Sequence, residues 1–303
     1  MSGAVSVGSG VLPSDRLPPW IRVRPPVGTA YPEVSGVLRE LGLGTVCREA
    51  RCPNLAECWS AGTATLMLLG TDCTRRCSFC AVTTRWSNGV VDETEPARVA
   101  EGVRRWGLRY VVLTQVCRDD LVDGGARILA ATVRALRDAC PATRIELLVG
   151  DLGGRADALD ALLVEPPDVL AHNLETVRRL SPEIRDRRAS YDRSVGLLAD
   201  AKARGPTGLV TKSSIMLGVG ERAEEVAEAF RDLRAAHVDL VTLGQYLRPS
   251  PRHRPIDRFV SPEEFAALRR TAEAAGFRGV EAGPLVRSSY HAETLYRLAC
   301  AGA

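Results

Sequence analysis

No stretch of this 303-residue sequence approaches the roughly 18 consecutive apolar residues that a membrane span requires. The first 20 residues, "MSGAVSVGSGVLPSDRLPPW", are rich in Gly, Ser and Pro and lack the apolar run of a signal peptide. Charge of one sign is also missing. Forty Lys and Arg against 37 Asp and Glu leave a formal +3, too little to argue for nucleic acid. No GxGxxG opens a helix, and no Walker-type loop is present, so the commonest nucleotide-binding devices are excluded. These absences point to a protein with neither membrane nor nucleic acid as partner. What is present is ordinary globular composition, 45% hydrophobic and 25% charged, at a length suited to one large domain or two small ones. Such a chain buries a sizeable core without covalent staples. Yet six of its nine cysteines crowd into 34 residues, from Cys47 to Cys80. In a reducing, cytoplasmic compartment such crowding serves metal binding or redox chemistry more often than disulfides.

Residues 1–30 read as a flexible N-terminal segment, and "PEVSGVLRELGLGTV" (32–46) has helical spacing ending in glycines. Beyond the cysteines, short β-rich runs alternate with amphipathic stretches. The runs are 65–70, 110–116, 144–150, 168–175, 209–217 and 240–247. Helices are predicted at 96–106, 125–139, 156–164, 191–204 and 223–236, and another from Ser261, where "SPEEF" offers an N-cap serine and Pro at N1. Six alternating units predict an α/β fold with a parallel sheet covered by helices. An open, partial (β/α)6 TIM-like barrel fits better than a doubly wound sheet. In both, chemistry belongs at the carboxyl ends of the strands.

The loop after the first run carries Cys73, Cys77 and Cys80 in a C-x3-C-x2-C spacing. Soft thiolates select zinc, copper(I) or iron–sulfur clusters. A structural zinc site wants four ligands, commonly in two close pairs, and no fourth ligand lies beside these three. Three thiolates on a four-iron cluster leave one iron open to a non-protein ligand. A zinc site completed from a distance is the alternative. Upstream, Cys47, Cys52 and Cys58 form a second trio spaced C-x4-C-x5-C.

C-x3-C-x-(aromatic)-C after the first strand of such a barrel resembles the radical S-adenosylmethionine superfamily. The resemblance implies that Cys73, Cys77 and Cys80 hold a 4Fe–4S cluster whose open iron chelates S-adenosylmethionine. One electron then yields a 5′-deoxyadenosyl radical that abstracts hydrogen from an unactivated carbon. "EARCPNLAECW", "GTATLMLLGTDCTRRCSFCAV", "RDDLVDGGA", "HNLETV", "VTKS", "LGQYLRPS" and "GPLVRSSYHAE" together are similar to the lipoyl synthase family, from about residue 30 to 295. This likeness implies a partial (β/α)6 barrel over 65–280, an N-terminal extension over 31–64, and a C-terminal extension over 281–303. It further implies that Cys47, Cys52, Cys58 and Ser289 hold an auxiliary 4Fe–4S cluster, which is consumed as the sulfur source. The implied reaction inserts two sulfurs at C6 and C8 of an octanoyl-lysine. The carrier would be a 2-oxoacid dehydrogenase E2 or glycine cleavage H protein. Implied partners are ferredoxin or flavodoxin as reductant and an iron–sulfur carrier. Phe79, Asn173, Glu175, Lys212 and Ser213 are the expected S-adenosylmethionine contacts.

Three strand ends depart from that family's pattern. Gln115 stands where serine is usual, with Cys117 nearby, "VGDL" (149–152) where Pro-Asp-Phe is usual, and Ser214 where glycine is usual. If all three face one rim, a sulfur-inserting paralogue with another acyl substrate becomes the alternative. A non-catalytic zinc- or iron-binding protein is the alternative of another class. Arg287 is expected to orient the terminal serine motif, while His172 and His291 read as structural, and Cys140 and Cys300 as buried small hydrophobes. Arginine is dense in "RRLSPEIRDRR" (178–188) and "RPSPRHRPIDR" (248–258), which read as solvated faces or as docking for an acidic partner.

Overall fold

The structure is a computed structural model that describes residues 17–22, 30–60 and 64–301. Most of the expected flexible segment, 1–30, lies outside the described residues. Within it, Ile21 is buried.

Among the described residues ten strands form, and eight of them make one sheet. They are β1 (Gly44–Thr45), β2 (Thr65–Leu68), β3 (Asp72–Cys73), β4 (Thr83–Thr84), β5 (Tyr110–Gln115), β6 (Arg144–Leu148), β7 (Val169–Ala171), β8 (Val210–Leu217), β9 (Leu240–Gln245) and β10 (Gly279–Gly283). The sheet order is β1-β2-β5-β6-β7-β8-β9-β10, while β3 and β4 pair as a small ribbon. From β2 to β10 every pairing is parallel. Such strands are covered on both faces, and β2 and β9 accordingly bury every residue. Helices cross between successive strands, so this is the open barrel expected from the alternation. The six predicted runs contain β2, β5, β6, β7, β8 and β9.

The helices follow local chemistry. Ser261 caps the helix Pro262–Ala274 by accepting from Glu264 N, and Glu264 reaches back to Ser261 N. This is the reciprocal capping box. The helix Glu95–Trp106 has Pro at its first turn and ends at Gly107, in the left-handed region at φ 60°. Among the described residues no helix is long and apolar enough to cross a membrane.

Two additions at the sheet edges were not anticipated. β1 pairs antiparallel to β2, and β10 adds a seventh parallel strand beside β9. The segments that follow these edge strands meet. Asn54 Nδ2 donates to the Leu285 carbonyl at 2.6 Å, and Tyr290 Oη donates to Glu57 Oε1 at 3.3 Å. A close approach on β9 admits the C-terminal segment. A Cβ on Gly244 would stand 2.1 Å from the Val286 carbonyl oxygen, so only glycine fits. The C-terminal helix Ala292–Ala301 then packs Leu295 and Ala299 against Val169, Val210 and Leu240. Cys300, expected to be buried, is exposed on that helix, and Cys140 is half-buried. Cys300 follows Ala299, which carries the buried face, and one residue further on points about 100° away from it.

Candidate active site

The loop from Thr71 to Val82 leaves β2 at its carboxyl end and is gripped from three sides. Ser78 N donates to the Ile184 carbonyl, Arg254 N donates to the Ser78 carbonyl, and Arg85 N donates to the Cys73 carbonyl. Beneath it, Arg75 is buried and bonds both Asp119 and Asp151, at 2.7 and 2.6 Å. The loop is therefore fixed before any cofactor arrives.

Two of its sulfurs receive backbone donors. Arg75 N points at Cys73 Sγ at 3.4 Å, and Asp186 N at Cys77 Sγ at 3.3 Å. The Cys117 thiol also donates to Cys73 and is the main reason its thiol is held down to about 6. Burial pushes Cys77 up to about 11 and Cys80 up to about 12. These two become thiolates when a cation is bound. Among the described residues no three His, Cys, Asp or Glu side chains gather around one point as a single metal ion requires. A cubane makes a different demand, because each thiolate holds a separate corner. Three thiols on one rigid loop, two with N–H donors aimed at sulfur, fit that demand.

The same loop faces a cavity of about 490 Å³. Phe79 and Cys80 line it, and so do Cys47, Cys52, Cys58 and Ser289. Residues more than 200 positions apart in the chain thus share one chamber. Asn173 and Glu175 line it as well, just past β7. Asn173 Nδ2 donates to Glu175 Oε1 at 3.1 Å, and burial raises the Glu175 carboxyl. Glu175 sits at φ 68° and bridges to Ile215, which holds it at the rim. Val46, Val112, Ile215 and Val286 give the chamber an apolar wall.

Cys73 and Cys77 do not line this cavity. Neither do Lys212 and Ser213. Lys212 Nζ instead bonds Glu146 Oε1 at 2.8 Å, both side chains being 1% exposed. Tyr110 Oη adds a second bond to Glu146. The Ser213 hydroxyl accepts from Leu174 N. Arg287 reaches the chamber, where burial pulls its guanidinium down and the neighbouring Cys52 opposes that. Its Nη1 donates to the Val286 carbonyl at 2.7 Å. Glu146 was missed in the sequence, although one acid inside the apolar run "RIELL" was the available signal.

The three departures do not share a rim. A Cβ at residue 150 would lie 3.0 Å from Gln115 Nε2 and 3.1 Å from Cys117 Sγ. The larger Gln115 thus occupies space that Gly150 leaves open. Both line a second cavity of about 360 Å³ with Arg75 and Asp151. Ser214 alone of the three lines the first.

His172 is buried, as a structural histidine would be. Its Nδ1 lies 2.8 Å from the Val149 carbonyl and its Nε2 2.8 Å from Ser194 Oγ. A carbonyl only accepts, so Nδ1 carries the proton and Nε2 receives the serine hydroxyl. Burial depresses its pKa to about 4. The unfolded chain binds a proton near 6.5, so stability falls as pH drops from about 6.5 toward 4. The whole effect is roughly 3 kcal/mol. Denaturant titrations between pH 7 and 4 are expected to show this slope, and His172→Gln to flatten it. Equal slopes in the two proteins would contradict the assignment.

The sequence pattern of the Radical SAM superfamily matches residues 67–233, and that of the N-terminal domain of lipoyl synthase matches residues 5–52. The chain is 53% identical to the lipoyl synthase of Thermus thermophilus, over 94% of this chain and 88% of that protein. It is 51% identical to the lipoyl synthase of Mycobacterium avium, over 95% and 92%. Among solved structures, methylornithine synthase superposes with a TM-score of 0.53 at 18% identity, over 78% of this chain and 80% of that one. The hydrogenase maturase HydG gives 0.51 at 14% identity, over 76% and 58%. These distant structures share the fold, and the match to the lipoyl synthase N-terminal domain takes in Cys47 and Cys52. The chain belongs to the lipoyl synthase family of the radical S-adenosylmethionine superfamily.

Proposed function

We propose that this protein inserts two sulfur atoms at C6 and C8 of an octanoyl group carried on a lysine of a lipoyl-carrier domain. The observation that carries this reading is the shared chamber, where Cys80 of one trio and Cys47, Cys52, Cys58 and Ser289 of the other line the same cavity. In this reading Cys73, Cys77 and Cys80 hold the radical-generating 4Fe–4S cluster. When bound, that cluster supplies the electron that cleaves S-adenosylmethionine to a carbon-centred radical able to abstract hydrogen.

The chain's own groups prepare the reaction. Phe79, Asn173 and Glu175 bind the S-adenosylmethionine beside Cys80. Ser213 supports the last two through its hydroxyl, which accepts from Leu174 N between them, and Lys212 is held by Glu146. Cys47, Cys52, Cys58 and Ser289 hold the second 4Fe–4S cluster, which is the sulfur substrate. Serine oxygen is a hard ligand among soft thiolates, so it releases iron more readily than a fourth cysteine would. Burial raises the Cys52 thiol, and the Arg287 cation beside it opposes that rise. The apolar wall receives the alkyl chain, and burying about six methylenes there is worth about 5 kcal/mol. It also keeps water from the radical carbon. Electrons come from a ferredoxin or flavodoxin, and an iron–sulfur carrier rebuilds the spent cluster. Cys47, Cys52, Cys73, Cys77, Cys80, Cys117, Cys140 and Cys300 are free thiols, which suits a reducing cytoplasm.

The pairing of Gln115 with Gly150 around the second cavity leaves Ser214 as the one departure of the three on the chamber wall, which favours an unchanged acyl substrate. Anaerobic incubation with an octanoyl-lysyl peptide, dithionite and S-adenosylmethionine is expected to add two sulfurs to the peptide. Deoxyadenosine without a sulfurated peptide would contradict the substrate assignment.

A further inference from the structure

The two arginine-dense runs meet at one place. Both pack against the three-cysteine loop. From the first run, Asp186 N bonds Cys77 Sγ, Asp186 Oδ2 accepts from Arg76 N, and Arg188 donates to the Thr74 carbonyl at 2.6 Å. From the second, His253 Nε2 meets the Cys80 carbonyl at 3.1 Å, and Arg254 N bonds the Ser78 carbonyl.

Each contact leaves an exposed arginine at or beside it. Arg76 lies in the loop, Arg187 follows Asp186, and Arg252 precedes His253, and all three are exposed. Arg85, whose N–H bonds the Cys73 carbonyl, is a fourth, 70% exposed and 3.4 Å from Asp72. Arg76, Arg187 and Arg252 make no ion pair among the described residues. The nearby acids are engaged elsewhere. Asp119 and Asp186 bond Arg75 and Arg188, and Glu183 faces Arg254. By contrast Arg178 and Arg179 of the first run are neutralised by Asp192 and Glu225. Positive charge is therefore left uncompensated around one loop of a chain whose net charge is only +3.

We propose that this basic collar is the docking surface for an acidic one-electron donor protein. The inference rests on the assignment of Cys73, Cys77 and Cys80 to the radical-generating cluster. An electron donor needs proximity to the loop, not entry to the chamber, and three of the four arginines, Arg76, Arg85 and Arg187, stand by the stretch that holds Cys73 and Cys77, which do not line the cavity. A carrier domain has the opposite need, since its acyl chain must enter the chamber. The step is an outer transfer. The donor is oxidised by one electron and the three-cysteine centre accepts it, with no bond formed or broken and no proton moved. Complementary charge raises the encounter rate and falls off with salt.

The test uses the reconstituted, cluster-loaded protein and a small acidic ferredoxin. At low ionic strength, Arg187→Glu/Arg252→Glu is expected to slow ferredoxin-driven cluster reduction about 10-fold or more, seen by stopped-flow absorbance. Arg187→Gln/Arg252→Gln is expected to fall between, and wild type to lose its advantage as salt rises. Reduction by dithionite, followed by the reduced-cluster EPR signal, should stay equal in all three. Equal ferredoxin rates in all three proteins would overturn the proposal. So would weakened binding of an octanoylated carrier domain with unchanged ferredoxin rates. Absence of a reducible centre with dithionite in wild type would overturn the underlying cluster assignment, and the collar with it.

Discussion

Cys58→Ala is expected to make deoxyadenosine at close to the normal rate and to transfer no sulfur. Cys80→Ala is expected to do neither. The two residues line the same chamber, so a merely local disturbance would harm both activities alike. The contrast follows from their separate attachments. Cys80 sits on the loop fixed by Arg75, Ile184 and Arg254. Cys58 lies on the short helix Leu55–Ser60, tied to the C-terminal segment through Asn54 and Glu57. Loss of one thiolate should strip the second cluster without loosening the first loop. Quantifying deoxyadenosine and sulfurated peptide from the same anaerobic reaction separates the outcomes. Sulfurated product from Cys58→Ala would remove that trio as sulfur source.

Lys212→Met is expected to cost about 3–5 kcal/mol of stability, among the largest effects of any single substitution in the chain. The reason is what it leaves behind. Glu146 is 1% exposed, and Lys212 is its only cationic partner among the described residues. Tyr110 offers it one hydroxyl, which does not balance a buried charge. The double variant Lys212→Met/Glu146→Leu removes both charges and should recover most of the loss. Denaturant unfolding of the three proteins measures this directly. Normal stability in Lys212→Met with weakened S-adenosylmethionine binding would make Lys212 a cofactor contact instead.

The sequence made some of this legible for physical reasons. A six-fold alternation of β-rich and amphipathic stretches has few packing solutions, so the parallel barrel could be read directly. Crowded thiols in a chain that needs no staples likewise point to metal. Other features depend on contacts between distant residues. The antiparallel β1 has two residues and no periodicity to detect. The partner of Lys212 lies 66 positions away, so its lysine looked like a candidate cofactor ligand. Gln115 and Gly150 looked like independent departures until the fold placed them in contact. The arginine runs read as solvated faces or as docking for an acidic partner, and only the folded chain brings both to the cysteine loop.

The central claim is that two separate inorganic centres share one chamber, one generating the radical and the other giving up its sulfur. Iron and acid-labile sulfide analysis of the anaerobically reconstituted protein tests it most directly. About eight irons per chain are expected in wild type and about four in Cys58→Ala, both proteins giving the same reduced-cluster EPR signal. About four irons in wild type, with no loss on replacing Cys58, would contradict the account.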